Sequence, residues 1–144
     1  MNRILSTEQS YAADLMSVVE VYIKPLREYA SQPNAQITFK DLSIIFSDLE
    51  VIAQFHQVFL QELTKIIESN GTSTKSIGQL FLELGPFLKL YTSYFNKYEQ
   101  GITCLAKCLQ LPNVKEMINQ MNKDPRTKLG LRSYLIMPIQ RVPR

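Results

Sequence analysis

Apolar residues recur at helical spacing almost from end to end of this chain, and that periodicity constrains its fold more than any other feature. Ile4, Leu5, Tyr11, Leu15, Val18, Val19, Tyr22 and Leu26 fall three, four or seven apart and draw one stripe along an amphipathic helix. Pro25 lies inside that stripe. Lacking an amide proton and crowding the preceding turn, it is expected to kink or end the helix. Ser31 to Gln36, with Pro33 and Asn34, has the chemistry of a loop. Ser47-Asp48-Leu49-Glu50 fits a capping box, with Ser47 accepting from the amide three residues on and Glu50 reaching back. A second stripe follows through Leu49, Ile52, Phe55, Phe59, Leu60, Leu63, Ile66 and Ile67, and Asn70-Gly71 is its stop signal.

Ser76 is expected to cap a third segment, which Gly85-Pro86 breaks. A longer pattern then runs through Leu88, Tyr91, Tyr94, Phe95, Tyr98, Ile102, Leu105 and Leu109 until Pro112. A shorter helix is expected from Val114 to Met121, and a turn at Asp124-Pro125. Leu131, Tyr134, Leu135 and Ile136 open a last helix that the chain end interrupts. No run alternates polar and apolar residues between hairpin turns, and no internal repeat recurs. The expected fold is all-α: an elongated bundle of long helices joined by short to medium loops. At 144 residues the chain has the size of one domain with one contiguous core.

Much chemistry is absent. The single histidine, His56, cannot build a histidine metal cage, and its apolar neighbours Phe55, Val58 and Phe59 favour a structural role. Cys104 and Cys108, four apart on one helix face, are too few to close a tetrahedral zinc site and fit paired buried thiols. No phosphate loop, dinucleotide fingerprint, nucleophile elbow or Cys–His pair occurs. No cofactor, no metal and no covalent catalysis are therefore expected. Nothing resembles a membrane span or a signal peptide, and two cysteines without a secretory signal favour a reducing, cytoplasmic location.

Charge is uneven along the chain. Up to Val114 there are nine Lys/Arg against eleven Asp/Glu, and from Lys115 onward seven against two. A basic second part suits a partner with an acidic face, and equally a solvated helix surface. The basic residues neither run together nor interleave with aromatics, which argues against nucleic acid.

Three segments together carry a resemblance. Thr7-Glu8-Gln9-Ser10-Tyr11 with Leu15, Tyr22 and Pro25-Leu26 forms the first. Ile45-Phe46-Ser47-Asp48-Leu49-Glu50 with Phe55-His56 and Phe59-Leu60 forms the second. The third runs from Leu131 through Ser133-Tyr134-Leu135-Ile136-Met137-Pro138-Ile139-Gln140-Arg141 to Arg144. In this order and spacing they resemble the Dbl-homology (RhoGEF) domain family over nearly the whole chain, 1–144. Ile77-Gly78, Phe81, Pro86 to Tyr91 and Tyr94 are similar to the family's middle helix. Asp48 stands for the family's usual Asn, and Met137 where many members carry Lys.

The resemblance implies a guanine-nucleotide exchange factor that binds the switch regions of a Rho-family small GTPase, of Rho, Rac or Cdc type, and promotes GDP release. Such exchange is differential binding and breaks no covalent bond. By the same resemblance Glu8 engages the first switch loop, and Gln140 and Arg144, four apart on one helical face, meet the switches. Arg144 supplies a cation to the GTPase or holds Glu8 in a bidentate pair. Met137 offers an adaptable apolar contact, and Arg141 braces the domain. Tyr11, Leu15 and Leu135 are expected in the core. The chain stops before the apolar run that completes the family's last helix, so the resemblance implies a domain lacking its C-terminal helices and about half of its binding surface. The exposed seam would then favour a dimer of this fragment, and membranes would be reached only through a neighbouring domain. The alternative is a non-catalytic helical GTPase-binding or scaffold module.

Overall fold

The computed structural model describes residues 2–69, 77–83 and 85–141, and every regular element among them is helical. Helix α1 (Asn2–Val18) passes through a π-helical turn (Val19–Ile23) into α2 (Lys24–Ala30). Pro25 therefore does not end the helix. Val21, whose carbonyl the proline ring would strike in a regular helix, belongs to the wider turn, where the Lys24 amide reaches back to the Val19 carbonyl. Widening the turn also brings Val19, Val21, Tyr22 and Ile23 all into the core.

The loop after Ala30 is held by the Tyr29 hydroxyl, which accepts the Gln36 amide at 2.9 Å. Helix α3 (Phe39–Phe46) opens on a complete capping box, and it is not the expected one. Thr38 Oγ1 accepts the Asp41 amide at 3.0 Å, and Asp41 Oδ2 accepts the Thr38 amide at 3.1 Å. Ser47 instead closes α3: its φ of 50° is left-handed, whereas an N-cap needs extended backbone. The second stripe is thus preceded by a separate short helix, and α4 (Leu49–Glu68) starts without a side-chain cap. Glu50 pairs with Arg27 of α2.

Asn70-Gly71 and Ser76 lie outside the described residues. Helix α5 (Ile77–Glu83) is followed by one tight turn (Gly85–Phe87) and α6 (Leu88–Cys108). Pro112 opens α7 (Pro112–Asn122), since the first helical turn needs no amide donor, so this helix starts earlier than expected. Helix α8 (Leu131–Arg141) carries Pro138 in its interior.

Helix α1 lies along α4, α3 on α6, and α8 on both α6 and α1. Leu15, Val18, Leu49, Ile52, Tyr94, Leu105, Tyr134 and Leu135 fill the space between them, each at most 1% exposed. Burying side chains of this kind contributes about 1.5–3 kcal/mol each. A smaller cluster of Phe59, Leu63, Ile66 and Leu80 fastens α5 to α4. The α3–α6 approach is set at Gly101, where an added Cβ would meet the Ile44 and Ile45 carbonyl oxygens at 2.9 and 3.0 Å. Those are backbone atoms and cannot step aside.

Three tyrosines place α8. Tyr94 donates its hydroxyl proton to the Leu135 carbonyl at 2.6 Å, within the stretch that Pro138 disturbs. Tyr22 donates to Asn122 Oδ1 at 2.6 Å, and that oxygen also accepts the Leu131 amide at 3.2 Å. Tyr134 accepts the Lys128 amide at 2.8 Å. Burial, with the nearby Tyr134 second, pushes the Tyr22 phenol up to about 12, and burial pushes Tyr94 up as well. The folded chain thus holds these protons more tightly than the unfolded one. Stability from them is intact below the unfolded value of 10.0 and is lost as pH rises toward about 12. The urea midpoint is expected to hold to about pH 10 and then fall. Tyr22→Phe, with no proton to lose, should be less stable at neutral pH and show a shallower alkaline fall.

Candidate functional site

Glu8 lies on the face of α1 that carries Tyr11 and Leu15, and this face turns inward. Its side chain is buried, at 1% exposure for the residue, and Oε2 sits 2.6 Å from Nδ1 of His56 on α4. His56 is itself 7% exposed. Its Nε2 makes a short hydrogen bond with the Tyr91 hydroxyl on α6, and the Tyr91 and Tyr11 hydroxyls are 3.1 Å apart. A polar chain of four side chains thus ties α1, α4 and α6 together inside an apolar bundle.

Aromatic rings pack around it. Tyr11 meets the imidazole edge-on with centroids 4.7 Å apart, and Phe55 does so at 5.1 Å. A carboxylate has only acceptors, so an ionised Glu8 takes the His56 Nδ1 proton in this contact. Nε2 then either donates to Tyr91 or accepts its hydroxyl proton, according to the charge on the ring. Every group in the chain is satisfied, which is what burial of polar groups demands.

Glu8, which the resemblance sets against a switch loop, is here buried against His56. His56 has the structural position expected of it, while its two partners were not foreseen.

On α8 Arg132, Ser133 and Gln140 are exposed, and Ser133, Met137 and Gln140 fall four and three apart along one line. Gln140 is exposed, and Met137 is half-buried against the main core. Met137 and Gln140 thus share one face of α8. Arg141 ends α8 and its side chain lies outside the described residues, as does all of Arg144. Tyr11, Leu15 and Leu135 are buried, as core residues should be.

The profile of the RhoGEF domain family matches residues 1–144. The chain belongs to that family. Guanine exchange factor for Rac 30 of Dictyostelium discoideum is 32% identical over 144 residues, covering 100% of this chain and 8% of that protein. The human FYVE, RhoGEF and PH domain-containing protein 2 is 31% identical over 149 residues, covering 100% of this chain and 22% of that protein. The chain thus spans under a quarter of the length of either relative. A solved structure of the Vav1 exchange factor superposes with a TM-score of 0.84 at 23% identity, over 99% of this chain and 37% of that one. At that identity the likeness establishes the fold of this RhoGEF domain and nothing finer. No helix among the described residues is long and apolar enough to cross a membrane.

Removing one member of a buried hydrogen-bonded pair leaves the other unsatisfied, at a cost of about 1–3 kcal/mol and more where the group is charged. Glu8→Ala is expected to lower the denaturation free energy by about that much, and Glu8→Gln, which keeps an acceptor, by less. In a double-mutant cycle, Glu8→Ala with His56→Ala should cost well under the sum of the two. Additive losses would show that the two side chains do not meet.

Proposed function

We propose that this RhoGEF domain binds the switch regions of a Rho-family small GTPase and speeds GDP release by gripping the remodelled switches more tightly than the nucleotide-bound ones. No bond is made or broken in such a reaction. The observation that carries the reading is the α8 face, where exposed Gln140 and half-buried Met137 stand in line on a helix fixed against α1 and α6. Gln140 offers a donor and an acceptor to switch backbone, and Met137 an adaptable apolar surface. Arg141 and Arg144 extend the same basic end of the chain. Glu8 is assigned a positioning role, because it holds α1 in register through His56. The Rac exchange factor among the relatives supports a Rho-family partner.

The test is release of fluorescent GDP from Rho-, Rac- and Cdc-type GTPases with the chain in excess. Acceleration is expected for at least one, and Gln140→Ala should lose about tenfold, near 1.4 kcal/mol of barrier, with an unchanged melting curve. Binding to the nucleotide-free GTPase without faster release would instead favour a non-catalytic scaffold module. Failure to bind any Rho-family member would contradict the proposal.

A further inference from the structure

A second polar cluster lies away from the α1–α8 face, at the seam between α3 and α6. Cys104 and Cys108 occupy successive turns of α6, and Asp41, 63 residues earlier than Cys104, faces them from α3. Their ligand atoms all lie within 4.8 Å of one another, and Cys104 Sγ is 3.7 Å from Asp41 Oδ1. Around a tetrahedral zinc-class ion, with bonds of about 2.0–2.3 Å, neighbouring ligand atoms stand roughly 3.3–3.8 Å apart. Only a small contraction separates the two arrangements.

We propose that Asp41, Cys104 and Cys108 form a binding site for a zinc-class divalent cation that staples α3 to α6. Two thiolates and a carboxylate are a donor set suited to a borderline-soft metal. Asp41 is already oriented for it. Its Oδ2 is engaged by the Thr38 amide in the capping box, which leaves Oδ1 directed at the thiols, in the way an outer hydrogen bond fixes a ligand. The fourth position opens toward a surface groove lined by Asp41, Glu99, Thr103, Cys104 and Lys107, where water can complete the shell.

A disulfide is the competing fate of two neighbouring thiols, and helix geometry opposes it. Residues four apart on a helix have Cβ atoms about 5–6 Å apart, while a disulfide needs roughly 3.5–4.5 Å. The pair can close on an ion without unwinding α6.

The experiment is titration of the reduced chain with Co2+, followed by Zn2+. One Co2+ per chain is expected, with a thiolate-to-metal charge-transfer band and tetrahedral visible absorption, both abolished when Zn2+ displaces it. Cys104→Ser and Asp41→Asn should each weaken binding at least tenfold, and Asp41→Asn keeps an oxygen for the Thr38 amide. Binding should also weaken as pH falls, since protons compete for the thiolates. Zn2+ should raise the melting temperature of the parent chain but not of Cys104→Ser. Absence of the thiolate band, or a band unchanged in both variants, would overturn the proposal.

Discussion

A carboxylate and an imidazole taken out of water at the centre of a helical bundle need one another, and the rest of this domain is arranged around that need. Burying either polar group alone in an apolar interior, without a hydrogen-bond partner, costs several kcal/mol. The Glu8–His56 contact at 2.6 Å, extended through Tyr91 to Tyr11, offsets that cost only when α1, α4 and α6 sit in one register. A slip of a helical turn would leave a buried group unpaired. An apolar replacement could match the network in net stability.

The framework in turn sets the outward face. Helix α8 packs on both α6 and α1. It is seated by Tyr94, whose hydroxyl bonds the Leu135 carbonyl, and by Asn122, shared between Tyr22 and the Leu131 amide. Tyr91 and Tyr94 are one turn apart on α6, so the residue that closes the buried network and the one that seats α8 belong to the same rigid segment. An exchange factor needs a face that keeps its shape while its partner's switches change theirs, because only differential binding drives release. Gln140 and Met137 stand on a helix held in this way.

Much of the fold was legible in the residues. Stripes at helical spacing located α4, α6 and the start of α8, and the absence of alternating runs ruled out sheet. Local chemistry was ambiguous where two segments offered the same signal. Thr38 with Asp41 and Ser47 with Glu50 both fit a capping box, and the choice depended on where the chain had to turn sharply. Pro25 was legible as a disturbance but not in its outcome, because the wide turn before it is favoured by the core it fills. The two polar core residues left a readable trace. Glu8 is three and seven residues before Tyr11 and Leu15, and His56 is four after Ile52 and three before Phe59, so each interrupts an apolar stripe. A charged residue in such a place is buried with a partner. What the sequence could not supply was the partner, 48 residues away, or that Asp41 would meet the cysteines of α6.

Because His56 is the one histidine in the chain, a nitrogen-15 imidazole spectrum reports on the central contact without assignment. The account requires Nδ1 to carry a proton that is slow to exchange with solvent and coupled through space to Glu8 and Tyr11. A neutral ring protonated only at Nε2, with Nδ1 bare and exchanging freely with solvent, would contradict it.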